Sequence, residues 1–418
     1  MIIIKRDLYL NKLIERKHNG LIKVITGIRR CGKSFLLFKL FKNYLLSEGV
    51  KEDHIIELNF DDFDNEEYQN PKVTSPYLKS KVVDSDMYYF LLDEIQLLDK
   101  FEAVLNGLLR LDNVDIYVTG SNAKFLSKDV ITEFRGRGDQ VHVYPLSFKE
   151  FFEARNIDKM TALEEYITYG GIPLILSMQT HETKSNFLYN LFVETYLKDI
   201  INRNNINNSE ELSELVNIIS SSIGSLTNPT KLSNTFKSVK NVNLSVPTII
   251  KYLEYLTDSF LIHKANRYNI KGKKYIDTPS KYYFSDLGIR NASINFRQNE
   301  KTRLMENLIY NELLIRGYNV DVGEVPLVTR NENKTQIRKT LEVDFVCNLI
   351  DKRLYIQSAY SIYDKEKYMQ ETRSLLNIQD NFRKIIITYD YGPKHYTDDG
   401  IIIMNIYDFL LDPNSLNY

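Results

Sequence analysis

A chain of 418 residues with 43% hydrophobic content is long enough for two or three domains, each able to bury a core without covalent staples. Its 54 Lys and Arg stand against 55 Asp and Glu, so the formal charge of −1 removes any global electrostatic case for nucleic acid and leaves only local patches. Two distant cysteines, Cys31 and Cys347, exclude a disulfide framework and a C-x-x-C zinc site, and no apolar run reaches the roughly 18 residues of a membrane span; a cytoplasmic location without membrane partners is expected.

In chain order, Leu21 to Thr26 is an apolar segment of strand type and Phe35 to Leu46 keeps the apolar spacing of a helix. Between them Gly27-Ile28-Arg29-Arg30-Cys31-Gly32-Lys33-Ser34 satisfies G-x-x-x-x-G-K-[ST] at every fixed position. A strand feeding such a loop and then a helix N-terminus presents a ring of backbone N–H groups, from Gly27 through Phe35, that suits nucleotide phosphates. Lys33 is expected to reach the β- and γ-phosphates and the Ser34 hydroxyl to ligate Mg²⁺, while Gly27 and Gly32 permit close backbone approach.

Further apolar runs of strand length follow at Ile55–Phe60, Met87–Asp93, Val114–Gly120 and Val141–Leu146, separated by helix-length segments, the pattern of a parallel sheet covered on both faces. The acidic stretch between Phe60 and Val73 reads as a solvated loop. Met87 to Glu94 is an apolar strand ending in two acids: Asp93 is expected to hold Mg²⁺ and Glu94 to deprotonate the attacking water. After Val114–Thr119 comes Gly120-Ser121-Asn122, where Asn122, with Ser121 second, is expected to contact the γ-phosphate or the lytic water; an ordinary turn is the bland alternative. Arg135 and Arg137, flanked by Gly136 and Gly138, suit an arginine finger acting in cis or from a neighbouring subunit of a homo-oligomer, or else a solvated turn paired to Asp139.

From Phe148 to Ile206 the pattern is helical, broken at Gly170-Gly171-Ile172-Pro173, and Asn202 to Ser209 reads as a linker. Three helical stretches near 210–222, 229–238 and 246–259 precede a β-rich region, Phe260–Phe284, with a tip at Lys271-Gly272-Lys273-Lys274, an arrangement that predicts a winged helix-turn-helix. Its Lys264, Arg267, Lys271, Lys273, Lys274 and Lys281, interleaved with Tyr268, Tyr275 and Tyr282, suit DNA by phosphate contact and stacking, or simply a solvated basic hairpin. A helix from Lys301 to Arg316 and strand-like Leu341–Cys347, Arg353–Ala359, Lys384–Thr388 and Gly400–Met404 make a second α/β unit.

The ordered set of the phosphate loop, Leu91-Leu92-Asp93-Glu94-Ile95-Gln96, Thr119-Gly120-Ser121-Asn122-Ala123, Arg135-Gly136-Arg137-Gly138, Tyr144-Pro145-Leu146-Ser147-Phe148, Tyr169-Gly170-Gly171-Ile172-Pro173 and Tyr283-Phe284-Ser285-Asp286-Leu287-Gly288 resembles prokaryotic AAA+-type P-loop ATPases with a C-terminal domain of uncharacterised function. The resemblance covers most of the chain. It implies an α/β fold of ASCE type that binds ATP, a winged-helix segment and a terminal restriction-endonuclease-like domain. The division expected is an ATPase domain with helical extension at 1–205 (core about 18–148), a winged helix at 206–285 and the nuclease-like domain at 286–418. In nucleases of that fold two carboxylates hold Mg²⁺ and a lysine of an (D/E)-x-K triplet acts on the water. Here Glu306 and Asp344 are the candidate acids, but Gln357 and Ala359 stand where the triplet needs its acid and its lysine, so an inactive site is expected. The functional expectation is an ATPase whose hydrolysis rearranges the winged-helix and nuclease-like domains; the alternative is a nucleotide-dependent binding switch with negligible turnover.

Overall fold

The computed structural model describes residues 4–120, 136–240, 242–297, 300–330 and 336–417. The chain splits into two compact units: Met1–Leu146 with Ile172–Ser177 and Asp258–Phe260 form the first, and Ser147–Gly171, Met178–Thr257 and Leu261–Tyr418 form the second.

In the first unit, five strands, β1 (Ile22–Thr26), β2 (Ile55–Asn59), β3 (Tyr88–Asp93), β4 (Val114–Gly120) and β5 (Gly138–His142), lie in the order β2-β3-β4-β1-β5, every neighbouring pair parallel. β5 begins three residues before the apolar run Val141–Leu146 that marks it in the sequence, because its first residues pair with Ile22 and Lys23 of β1. Alternate residues of the buried strands, among them Ile22, Val24, Phe90, Leu92, Ile116 and Val118, share one core with Leu78 of α3 (Pro71–Ser80) and with Val104, Leu105 and Leu108 of α4 (Phe101–Leu108). α3 starts where Asn70 caps the Lys72 N–H and Pro71 takes the first helical position, where no N–H is needed. A continuous helical run over 33–47, α2, buries Leu36, Leu37 and Phe41, and the Phe41 ring lies 4.4 Å from Tyr117 of β4. The acidic stretch expected as plain loop winds into a 3₁₀ segment over Phe63–Gln69, capped by Asp62.

Lys23 of β1 and Asp115 of β4 form a fully buried ion pair, to which the Tyr117 hydroxyl adds a 3.0 Å hydrogen bond. Burial pulls the Lys23 ammonium below its usual range while Asp115 pulls it back up.

The second unit holds an eight-stranded mixed sheet. Its strands are β6 (Ile262–Asn269), β7 (Lys274–Phe284), β8 (Asn319–Arg330), β9 (Gln336–Leu349), β10 (Lys352–Ala359), β11 (Arg383–Thr388), β12 (His395–Tyr396) and β13 (Ile402–Asn405), in the order β12-β13-β11-β10-β9-β8-β6-β7. Three helices, α8 (Ser209–Ser221), α9 (Pro229–Lys240) and α10 (Val246–Asp258), precede the β6–β7 hairpin. The hairpin is part of the large sheet, since Arg267, Tyr268 and Asn269 pair in parallel with Val322, Gly323 and Glu324 of β8. A divide at residue 285 thus falls within one continuous sheet. The helices α5 (Phe148–Arg155), α6 (Lys159–Tyr169) and α7 (His181–Asn190), expected as an extension of the ATPase domain, group with this second unit.

Two motifs of the sequence meet here for structural reasons. Asp286 caps α11 (Leu287–Ser293) through the Ile289 N–H at 3.0 Å and accepts the Gly171 N–H at 2.7 Å. A Cβ on Gly288 would lie 2.0 Å from the Tyr169 carbonyl oxygen, so only glycine allows this approach. Burial pushes the Asp286 carboxyl up to about 6 against the pull of those N–H groups.

Candidate nucleotide-binding site

In an all-parallel sheet the C-terminal ends of the strands share one edge, which brings the ends of β1, β3 and β4 together. Gly27 leaves β1 at φ +144°, and a Cβ there would lie 2.1 Å from the Val143 carbonyl oxygen. Gly32 stands at φ +100° and starts α2 from a left-handed conformation closed to most side chains. The loop between them is a backbone cradle whose two turns need glycine. Inside it Lys33 is 5% exposed, its ammonium held at 3.0 Å by both the Gly27 and the Ile28 carbonyls. Ile28 and Cys31 are buried, Arg29 and Phe35 half-buried, and Arg30 and Ser34 exposed. The Cys31 thiol faces inward, 3.4 Å from the Val143 carbonyl.

Asp93 ends β3 buried, and its carboxylate accepts a hydrogen bond from Thr119 of β4, with the Ser34 hydroxyl close enough to act on it. Burial raises the pKa of this carboxyl; the Thr119 and Ser34 hydroxyls and the nearby Lys33 charge oppose the rise. Ser34 and Asp93 are thus side by side, a hydroxyl and a carboxylate that fit the hard-oxygen preference of Mg²⁺. Glu94 turns the chain in the left-handed region at φ +52°, ψ +45°, an uncommon conformation for a side-chain-bearing residue. Its N–H donates to Thr119 Oγ1 at 3.1 Å and its carboxylate accepts from the Gln96 amide. Thr119 therefore ties both acids of the β3 terminus to β4, and Gln96 fixes the carboxylate. Neither role is legible in the sequence, where the only signal for Thr119 is a hydroxyl at the end of the neighbouring strand.

Asn122, Ser121 and Arg135 lie outside the described residues. Arg137 is exposed, donates to Asn106 Oδ1 at 3.2 Å, and gives its carbonyl to the Ile22 N–H at the start of β1. The phosphate loop begins at the other end of that strand, five residues and about 17 Å away at the usual rise. This register corrects the cis reading: Arg137 is at the edge opposite the loop of its own chain, beyond the reach of an arginine side chain.

Two stretches from later in the chain return to the first unit beside the loop. Pro173 of 172–177 lies 3.8 Å from where a Cβ on Gly32 would stand. Phe260 of 258–260 packs its ring 4.4 Å from that of His142, whose Nδ1 is 3.0 Å from the Thr26 hydroxyl at the end of β1.

The basic hairpin differs from its sequence reading. Lys281 is 3% exposed, Arg267 is paired with Glu324, and the rings of Tyr268 and Tyr282 are buried. Lys264, Lys271, Lys273 and Lys274 are exposed, as is Tyr275, whose hydroxyl is bonded to Asp321 at 3.1 Å.

Residues 19–152 match the family model of an AAA domain, and residues 160–300 match a domain of unknown function (DUF8612). An uncharacterised protein of Haemophilus influenzae is 36% identical over 98% of this chain and 99% of its own length, and the uncharacterised protein MJ1544 of Methanocaldococcus jannaschii is 31% identical over 95% of this chain and 88% of its own. Among solved structures, a Cdc6p of Pyrobaculum aerophilum is 14% identical, with 72% of this chain and 94% of that chain covered at a TM-score of 0.31, too remote a likeness to argue from. Among the described residues no helix is long and apolar enough to cross a membrane.

Proposed function

The chain belongs to the family of the Haemophilus influenzae and Methanocaldococcus jannaschii proteins and carries an AAA domain of P-loop NTPase fold, and from that premise we propose that it is a Mg²⁺-dependent ATPase. The observation that carries the reading is the Ser34–Asp93–Thr119–Glu94 arrangement at one edge of the sheet, directly beside the Lys33 loop. Mg²⁺ held by Ser34 and Asp93 would neutralise charge on the β- and γ-phosphates. Lys33 opposes the same charge from within the loop, and the backbone N–H groups from Gly27 to Phe35 bind the phosphate oxygens. Glu94, oriented by Gln96 and Thr119, takes the proton of the attacking water.

Coupling to the second unit is supported by chain connectivity. The stretches 172–177 and 258–260, beside the loop and the end of β1, are each joined on both sides to segments of that unit, so a displacement of either stretch would pass along the backbone into those segments. DNA remains a candidate partner through the four exposed lysines of the hairpin, and Arg137 a candidate finger from a neighbouring subunit of a homo-oligomer. Both buried cysteines are reduced, which suits the cytoplasm.

A Glu94→Gln protein should bind ATP like the wild type and hydrolyse it about 10²–10⁴-fold more slowly, whereas Lys33→Ala should lose binding itself. Wild-type turnover in the Glu94 variant would remove the general-base assignment. A wild-type protein that binds ATP without releasing phosphate, with or without DNA, would replace the enzyme by a binding switch.

A further inference from the structure

The acids expected to form a nuclease centre in the second unit do come together, but around a cation that the chain itself supplies. Lys281 of β7 places its ammonium 2.8 Å from Glu306 on α12 (Lys301–Ile315), 2.8 Å from Glu342 and 3.5 Å from Asp344, both on β9. The lysine side chain is 3% exposed and those of Glu306 and Asp344 are 13% and 11% exposed, while that of Glu342 is 37% exposed, so the cluster is interior with Glu342 at its rim. Neighbouring protein groups meet oxygens of the same carboxylates. The Tyr283 hydroxyl donates to the Glu306 carboxylate at 2.6 Å, and the Ser358 N–H donates to Asp344 Oδ2 at 2.9 Å. Gln357 fills the position of the missing acid and bridges: its carbonyl accepts the Asp344 N–H at 3.4 Å and its amide donates to Glu371 at 3.1 Å.

We propose that Lys281 is the resident cation of this centre, standing where a divalent metal would stand, so that the second unit holds its carboxylates together without metal and does not cleave phosphodiesters. Two carboxylates brought into an interior, with a third at its rim, repel one another, and burial penalises the charges of Glu306 and Asp344 further. A divalent ion or a buried ammonium can relieve this, and the ammonium is in contact with all three. Burial works against the charge on Lys281, but Glu306, Asp344 and Glu342 together outweigh it and hold the ammonium protonated, while burial and the Glu306 charge push the Asp344 carboxyl up to about 8 against the pull of Lys281, so that Glu306 and Glu342 carry most of the negative charge at neutral pH. The glutamine follows the same logic, since an acid at 357 would add another charge beside Asp344 and Glu371. Gly224 closes one side: a Cβ there would stand 3.1 Å from the Glu306 carboxylate.

The test uses the full chain without nucleotide and Mn²⁺ alone as probe. Wild-type protein should melt at the same temperature in about 1 mM Mn²⁺ as in EDTA. Lys281→Ala, which opens room among three uncompensated acids, should melt lower in EDTA and rise by about 4 °C or more with Mn²⁺. Lys281→Gln, of similar length, should respond in the same direction if the alanine variant does not fold in EDTA. A wild-type protein stabilised by Mn²⁺ at this centre, with Glu306→Gln abolishing the effect, or Mn²⁺-dependent cutting of DNA lost in Asp344→Ala, would overturn the proposal. So would two lysine variants that are both indifferent to Mn²⁺.

Discussion

Thr119→Val keeps the shape and β-branching of the side chain and removes one hydroxyl, which makes it a direct probe of how the β3 terminus is held. That hydroxyl donates to the Asp93 carboxylate and accepts the Glu94 N–H at 3.1 Å. A net contribution of about 1.5–3 kcal/mol for a bond to a charged group, plus about 0.5–1.5 for a neutral one, gives a stability loss of about 2–4.5 kcal/mol, readable by urea unfolding. The functional effect is separate. Burial raises the Asp93 carboxyl and the Thr119 donor opposes the rise, so losing the donor leaves less of the ionised form that Mg²⁺ needs. The variant should require more Mg²⁺ for half-maximal turnover, most visibly toward lower pH. Glu94 also loses the tether that fixes its left-handed turn, and a carboxylate misplaced by about 1 Å costs about 10²-fold in rate. Phosphate release and fluorescent-nucleotide binding measured side by side should show kcat falling while nucleotide affinity changes little, and Thr119→Ser should restore most of both stability and rate. A Thr119→Val protein as stable as the wild type, with unchanged Mg²⁺ dependence and rate, would refute the assignment of Thr119 as the clamp of both acids.

Three further outcomes are expected. If Arg137 acts from a neighbouring subunit, Arg137→Ala and Lys33→Ala proteins, each weakly active alone, should regain ATPase activity when mixed at high concentration; no rescue between folded variants removes the finger role, because the register already removes action in cis. Lys23→Met leaves Asp115 buried without its cation and should cost about 3–5 kcal/mol in unfolding free energy, most of it recovered in Lys23→Met with Asp115→Leu; a single variant of wild-type stability would contradict this. Burial holds the His263 imidazole down to about 4, so the folded state favours the neutral ring. The stability this contributes is complete above the ordinary value of 6.5 and lost as pH falls through about 4, and wild-type protein should lose about 3 kcal/mol more than His263→Gln between pH 7 and pH 4; equal losses would count against it.

What the sequence reveals and what it conceals divides along the distance between the cooperating residues. The phosphate loop and the Asp93-Glu94 pair are legible because the chemistry needs contiguous residues at fixed spacing, and the apolar strands around them carry the period that places them at strand ends. Thr119 is hidden because its partners lie 25 and 26 residues away, and its role exists only because β4 is inserted beside β3 in the sheet order. Arg137 is misplaced for a related reason. Its closeness in sequence to Thr119 suggests the active edge, but after the intervening segment the chain re-enters the sheet at the N-terminal end of β5, and parallel pairing with Ile22 sends it to the far side.

Lys281 shows the same limit in charge rather than position. Counted along the hairpin it is one basic residue among six, and alternation would place basic residues on a solvated face. Yet residues 280 to 284 are all buried, so alternation carries no sign there, and the side chain that reads as a phosphate contact lies against three carboxylates contributed by α12 and β9. A neutral glutamine at 357 and an interior ammonium at Lys281 therefore act on one charge balance. An acid introduced at 357 while Lys281 remains would add a negative charge beside Asp344 and Glu371 without freeing the central position, so Gln357→Glu alone should lower the melting temperature and gain nothing from Mn²⁺, whereas Gln357→Glu with Lys281→Ala should respond to Mn²⁺ more strongly than Lys281→Ala; a Gln357→Glu protein stabilised by Mn²⁺ would contradict this.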